Sequence, residues 1–426
     1  MGKYKSKSTL NSRANHTINK NLDRTLHPII NAREAKKAEL MEQYGLPPNT
    51  KFLFFKQGRF FKKVPRFPIK YGTVVCLDED TSDLLLVARF VERTEGNETL
   101  FKSYEHSIST IYTHAKARGI VNNNGATYKE RRRLRKYGTM YAFGLRPGYE
   151  KGVAAGQSHD HIFSGINLSM TNLSEHNFMI SGTYTWNEET AADYAKMEAD
   201  LKRQGNLPEI ENFIAERFSG LSSKAFLSNR IIATITDAPS WANQSFYVSP
   251  NAQVFSSNIT MTCDEFTNKK HKDRDATDYA FGFFGLVDRT TGNLYQKDST
   301  SPSGNSIGAR FVLDDYNLEV DLDSCDGVVE ILRSTRVNHH TTPSKTYNHE
   351  YERVRPEEAE ITRFACSCQI SQALVDRISK VYRLRDGMDD QEWTSYRDTQ
   401  LHGYGVQAHT KMKALALKLG IWENNF

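Results

Sequence analysis

The residues best suited to chemistry are the H-x-D triplet His271-Lys272-Asp273 and the histidine pair His339-His340 in the run NHHTTP at 338–343. Two imidazoles and one carboxylate on one face of a divalent ion leave three positions open for oxygen and a bidentate co-substrate, and that donor mixture suits Fe(II). Residues i and i+2 of a strand point to the same side, so an H-x-D at a strand end offers both side chains to one ion. By the same alternation only one of His339 and His340 can join them. A co-substrate such as 2-oxoglutarate carries a second, remote carboxylate, and an arginine on the strand after the second histidine would hold it bidentately. A chain with 13 histidines makes such a set by chance often enough that its setting must carry the weight. That setting is a strand-rich segment, with enough strands between the histidines to close half a barrel and an arginine at the head of a later strand.

The segment from 226 to 340 breaks into short apolar or alternating runs divided by turn signals: RIIATITDAP, SFYVSPNAQVF, NITMTC, YAFGFFGLVDRTTGNLY, GARFVLDDYNLEVDL and GVVEILRS. Many short strands at near-regular spacing predict a barrel or a sandwich. Residues 361–370 add one more strand. Upstream, NAREAKKAELMEQY at 31–44 reads as a helix stopped by GLPPNT, and 51–95 reads as strands with a turn at DEDTSD. A helix from about Asn97 to Arg118 carries Leu100, Tyr104, Ile108, Ile111 and Tyr112 on one face. Residues 186–218 read as two helices separated by GNLP. The division expected is a basic tail over 1–30, an N-terminal α/β region over 31–136, a core over 137–380 with a helical insertion at about 186–218, and C-terminal helices over 381–426.

Composition is that of a globular protein, with 38% hydrophobic and 25% charged residues. No apolar run approaches the roughly 18 residues needed to span a bilayer, and the opening MGKYKSKSTLNSRANHT lacks the apolar stretch of a secretory signal. A monomeric intracellular protein with no membrane partner is expected. Cys76, Cys263, Cys325, Cys366 and Cys368 are too scattered for a disulfide framework, and the Cys366/Cys368 pair reads as two strand residues facing the same way. Positive charge gathers in two places. Residues 1–30 hold Lys3, Lys5, Lys7, Arg13, Lys20 and Arg24 against Asp23 alone, and KERRRLRK at 129–136 includes Arg131, Arg132, Arg133 and Arg135. Such clusters suit a phosphate backbone; a solvated helix face or a nuclear-import signal reads equally well for the second.

The stretches FTNKKHKDRDATDYAFGFFGLVDRTTGNLY, SIGARFVLDDYNLEVDLDSCDGVVEILRS, NHHTTP and ITRFACSCQIS together resemble the Tet/JBP family of Fe(II)/2-oxoglutarate-dependent DNA dioxygenases. The fungal branch is the most similar, and RPGYEKGVAAG also has its counterpart there. The resemblance covers roughly residues 137–380. It implies an α+β fold with a double-stranded β-helix (jelly-roll) core flanked by helices, working with Fe(II), 2-oxoglutarate and O2 on double-stranded DNA containing methylated bases, in the nucleus. The implied reaction oxidises the methyl group of 5-methylcytosine to hydroxymethyl and further products. N6-methyladenine demethylation is the alternative, and a non-catalytic DNA-binding protein on the same fold is a reading of a different class.

Carried onto this chain, the resemblance makes His271 and Asp273 iron ligands and His339 the distal one, because Pro343 stands four residues on; His340 is the second choice. The 2-oxoglutarate arginine follows a threonine, which selects Thr362-Arg363. A long insertion before it contains Arg353 and Arg355, which spacing alone leaves open; Arg363 is preferred because it opens an apolar strand. Reaching a methyl group inside a duplex requires base flipping. Asn268, Asp275 and Asp314 are then the candidates to touch the base, with Asp278 a weaker one, and Arg131, Arg132 and Arg133 to touch phosphates.

Overall fold

Strands that are apolar on both faces need cover on both faces. In β8 (Tyr279–Asp288) and β12 (Gly327–Ser334) nearly every residue is buried. They form the middle of a nine-stranded sheet with helices over one face and a second sheet over the other. The computed structural model describes residues 34–58, 64–121, 138–147, 181–184, 186–242, 254–296, 306–348, 352–392, 415 and 418–420.

The remaining strands are β1 (Lys51–Phe55), β2 (Phe67–Ile69), β3 (Thr73–Asp78), β4 (Leu84–Glu92), β5 (Thr139–Pro147), β6 (Ser181–Thr183), β7 (Asn258–Cys263), β9 (Ser306–Ile307), β10 (Arg310–Leu313), β11 (Leu318–Asp321), β13 (His340–Thr341), β14 (Lys345–Thr346) and β15 (Ile361–Gln369). The large sheet runs β1-β3-β4-β12-β8-β15-β7-β5-β6, the small one β13-β10-β11-β2, and β14 pairs with β9. Pairing is antiparallel except for β1–β3 and β11–β2. The small sheet turns back through Asp314–Tyr316 into Asn317, whose φ of 52° is one that asparagine tolerates well. This is an α+β architecture of mixed sheets, jelly-roll-like in its two facing layers.

Strand alternation sorts the side chains. Phe281, Phe283, Val328, Leu332 and Phe364 point to the outer face and pack against the helices. That layer is α1 (Glu34–Tyr44), α2 (Glu98–Lys116), α5 (Leu207–Ser219) and α6 (Ser223–Ile235), with α3 (Glu188–Ala192) and α4 (Tyr194–Gln204) beside it and α7 (Gln372–Asp386) after β15. Cys366 and Cys368 also fall on the outer face, buried in the core, and among the described residues no cysteine forms a disulfide. Two buried ion clusters brace the helical layer, the first tying helices to the sheet and the second tying helices to one another. Glu330, fully buried on β12, is gripped by Arg89, Arg217 and the Tyr104 hydroxyl, and Asp200 by His114, Arg118 and the Trp186 indole at 2.7–2.8 Å.

The inner face is filled unevenly. Around β1, β3 and β4, Leu53, Val74 and Leu86 meet Leu318 and Val320 of the small sheet in a second apolar core. Toward β8, β15 and β7 the inward positions are Ala280, Gly282, Ala365, Ser367, Thr260 and Thr262. Each large side chain forgone there gives up roughly 1.5–3 kcal/mol of burial. The result is room for a cavity at that end.

Several expectations are corrected. RIIATITDAP is the end of helix α6 and not a strand: Ser222 caps its N-terminus by accepting from the Ala225 N–H, and Ala225, Phe226, Asn229 and Ala233 form its buried face. The helical stretch 186–218 comprises three helices. The strands drawn from 31–136 are continuous with the core, since β4 pairs with β12 from Glu92↔Gly327 to Leu86↔Arg333. The basic stretches 1–30 and 129–136 lie outside the described residues. Among the described residues no helix is long and apolar enough to cross a membrane.

Candidate active site

The cavity, of about 180 Å3, opens between the two sheets. His271 and His339 meet at its edge through an isolated antiparallel bridge. Each backbone N–H donates to the other's carbonyl, His271 to His339 at 3.1 Å and the reverse at 2.9 Å. Residues paired this way stand directly opposite with their side chains on one face, and the ring centroids are 4.4 Å apart. Asp273, two residues on, returns to the same face: its Oδ1 lies 3.2 Å from His271 Nε2, and its Oδ2 3.7 Å from His339 Nε2. The H-x-D therefore works as expected by alternation, but it sits at a single bridge before β8 and not at a strand end.

The donor set fits a metal ion. One nitrogen or oxygen from each of the three side chains lies within 4.8 Å of the others. His271 Nδ1 is 2.8 Å from the Lys269 carbonyl and His339 Nδ1 3.4 Å from that of Val337, so both rings turn Nε2 toward Asp273. An Nδ1–H anchored on a carbonyl leaves Nε2 as the ligating nitrogen. Phe311 stacks on the other side of His339 at 5.4 Å. His340 points to the opposite side, where its Nδ1 stands 3.2 Å from Asp314 without hydrogen-bond alignment.

Electrostatics are set by burial and one cation. Burial pushes the Asp273 carboxyl up, but the Arg333 guanidinium and the two imidazoles outweigh it and hold the group below the usual carboxylate range. Burial opposes the charged form of His271 also, and there the Asp273 hydrogen bond and charge prevail and raise it. His339 is held well below the ordinary imidazole value, by burial first and then by Arg333. Neutral imidazoles and an ionised carboxylate are the forms that ligate metal.

The other expected residues divide. Asn268 lines the cavity, and its Oδ1 accepts from the Thr341 N–H at 2.7 Å. Asp275 is bridged by backbone to Ser371 and does not line the cavity; burial and the neighbouring Asp273 push its carboxyl up to about 7, and its buried Oδ2 has no partner. Asp314 does not reach the cavity, because Arg66 holds it at 3.0 Å beyond the turn. Asp278 is engaged by Arg336. Arg131, Arg132 and Arg133 lie outside the described residues. Arg363 is buried on the same strand face as Ala365 and Ser367, donating to the Leu322 carbonyl at 3.1 Å and to the Asp323 carboxylate. Arg353 is instead paired with Glu265, and the Arg355 side chain is 70% exposed.

Arg333 was missed by sequence reasoning. It lines the cavity from β12, only 7% exposed, and its Nη2 donates to Asp273 Oδ2. A signal existed: in GVVEILRS the alternation that sends Val329 and Ile331 inward sends Arg333 there too, and an inward charge on a buried strand needs a partner.

No curated protein matches the chain. A family model does, over residues 105–344, and it is that of the Tet-like 2OG-Fe(II) oxygenase superfamily. That span exceeds half of the 426 residues and encloses the two histidines and the aspartate gathered at the cavity, so the chain belongs to this superfamily and takes Fe(II) and 2-oxoglutarate as its cofactors.

Proposed function

We propose that this oxygenase oxidises the methyl group of 5-methylcytosine in DNA, with His271, Asp273 and His339 holding Fe(II). The observation that carries the metal assignment is the convergence of the three donors, each imidazole with Nδ1 toward a backbone carbonyl and Nε2 toward Asp273. The bound metal supplies oxidation of the methyl group by O2, one oxygen atom going to that carbon and the other to the succinate left when 2-oxoglutarate loses CO2. The chain's own part is positioning and exclusion of water. Arg363 is assigned the far carboxylate of 2-oxoglutarate, taken in exchange for the Asp323 carboxylate that holds it here. Phe266, Phe284 and Met140 give the cavity an apolar wall suited to a flat ring, and Asn268 and Gln369 supply polar edges. Asp275 and Asp314 are not carried forward as base contacts, because neither lines the cavity: Asp275 is bridged to Ser371 and Arg66 holds Asp314.

DNA as the substrate rests on the resemblance of the iron-binding and strand segments to the Tet/JBP enzymes and on the two basic clusters of the sequence. A nuclear site of action belongs to the same proposal. N6-methyladenine is the second reading: a hydroxymethyl on nitrogen is lost as formaldehyde, whereas one on carbon persists. The test is nucleoside mass spectrometry after incubation with Fe(II), 2-oxoglutarate, ascorbate and duplexes carrying either base. Loss of 5-methylcytosine that requires 2-oxoglutarate and disappears in His271→Ala supports the proposal. Loss of N6-methyladenine alone moves it to the second reading. Co-substrate turnover with neither base consumed refutes DNA methyl oxidation.

A further inference from the structure

The described cavity wall holds one cation besides its imidazoles. Arg333 sits there with Nη2 on Asp273 Oδ2 and with Nη1 buried and unpartnered. A guanidinium NH2 group shut away from water without an acceptor costs on the order of 1–3 kcal/mol, more for a charged group. Such a cost is tolerated where a ligand completes the site. Arg363 stands elsewhere, at the Asp323 and Leu322 end of the sheet. Of the two arginines, Arg333 lines the cavity beside the three metal-binding candidates, and Arg363 is not part of the cavity lining.

We propose that Arg333 is the receptor for the carboxylate at the keto-acid end of 2-oxoglutarate. This rests on the reading that His271, Asp273 and His339 hold the metal. A 2-keto acid would chelate a metal held by these three side chains through its keto and adjacent carboxylate oxygens, and Arg333 is the arginine of the cavity wall that could meet that carboxylate. Asp273 fixes the guanidinium with one amino group, and the other is left for an incoming anion. A planar fork held on one side by a carboxylate is oriented in advance for a second one. The Ala280, Ala365 and Ser367 positions nearby keep space open in front of it.

The test uses the full-length protein loaded with Ni(II), which occupies the site without turnover, and measures binding by calorimetry. Two ligands are compared: 2-oxoglutarate, and 2-oxobutyrate, which keeps the keto-acid end and lacks the far carboxylate. Arg333→Met is expected to weaken both by a similar factor, about 10- to 100-fold for a charge-assisted pair. Arg363→Met is expected to weaken 2-oxoglutarate and leave 2-oxobutyrate unchanged. Arg333→Lys, which keeps a cation in the same space and guards against a variant that folds poorly, should recover part of the loss for both acids. Wild-type affinity for both acids in Arg333→Met overturns the proposal, as does a Lys variant no better than Met when both load Ni(II) normally. If wild type and His271→Ala load Ni(II) equally, the metal reading fails and the Arg333 role falls with it. That outcome is distinct from a metal site that loads normally and ignores Arg333.

Discussion

Glu211 offers a quantitative test of how the helical layer is attached. It lies on α5, fully buried, with Oε1 accepting from Ser240 Oγ at 2.5 Å and Oε2 without a partner. Burial raises its carboxyl from 4.5 to about 7, and the Ser240 hydrogen bond offsets only part of this. Below pH 4.5 the group is protonated in both folded and unfolded chains, and its contribution is fully present. Between that value and about 7 the unfolded chain ionises while the folded one keeps its proton, so stability falls as pH rises. At about 1.4 kcal/mol per pH unit the loss totals about 3 kcal/mol and stops above the folded value. Glu211→Gln keeps the shape and cannot ionise. Urea unfolding followed by tryptophan fluorescence, from about pH 5 to about pH 8.5, reads the difference between variant and wild type. That difference should grow in the variant's favour by about 2–3 kcal/mol across the range, with equal denaturant slopes. A difference that stays constant with pH would show that Glu211 does not hold its proton in the fold, and would refute the burial argument.

Three further outcomes are expected, two from the structure and one from the sequence. His339→Ala should weaken Ni(II) or Co(II) uptake by more than about 100-fold, beyond what losing an outer-shell partner costs; His340→Ala should leave it nearly unchanged, and the reverse pattern in a metal titration would exchange the two assignments. Gly282→Ala would put a Cβ 1.8 Å from the Cys366 carbonyl oxygen, forcing β8 and β15 apart at the cavity wall. It should cost at least about 1–3 kcal/mol by thermal or urea unfolding, whereas Gly285→Ala, whose Cβ meets only the Leu294 side chain at 3.3 Å and the Gly327 carbonyl at 3.4 Å, should cost less. Neutralising Arg131, Arg132, Arg133 and Arg135 should lower the slope of log affinity for duplex DNA against log salt by about 0.9 for each phosphate the variant no longer neutralises; an unchanged slope returns that cluster to the solvated surface.

Local chemistry made part of this legible. The i, i+2 alternation was enough to put His271 and Asp273 on one side, to allow only one of His339 and His340 beside them, and to face Cys366 and Cys368 the same way, which the structure shows to be toward the core. The strand YAFGFFGLVD announced itself by its apolar run, buried along nearly its whole length, while GVVEILRS carries Glu330 and Arg333 among its apolar residues. The same reasoning failed on RIIATITDAP, because β-branched residues read as strand when their neighbours are ignored. The helix there is decided by the Ser222 cap and by an Ala225–Phe226–Asn229–Ala233 face packed on the sheet, with Ile235 left 71% exposed.

The sequence by itself determined which side chains could ligate a metal and which strand faces they would share, since both depend on residue type and a two-residue period. Only the tertiary structure decided who meets whom. The backbone bridge from His271 to His339 joins residues 68 positions apart, and nothing local specifies that register. The small inward residues of β7, β8 and β15 make a cavity only because the facing sheet does not fill it. Arg363 was singled out by its threonine and its place at the head of a strand, whereas Arg333, inside the apolar strand before the second histidine, was passed over. Their surroundings differ because β12 brings one to Asp273 and β15 brings the other to Asp323.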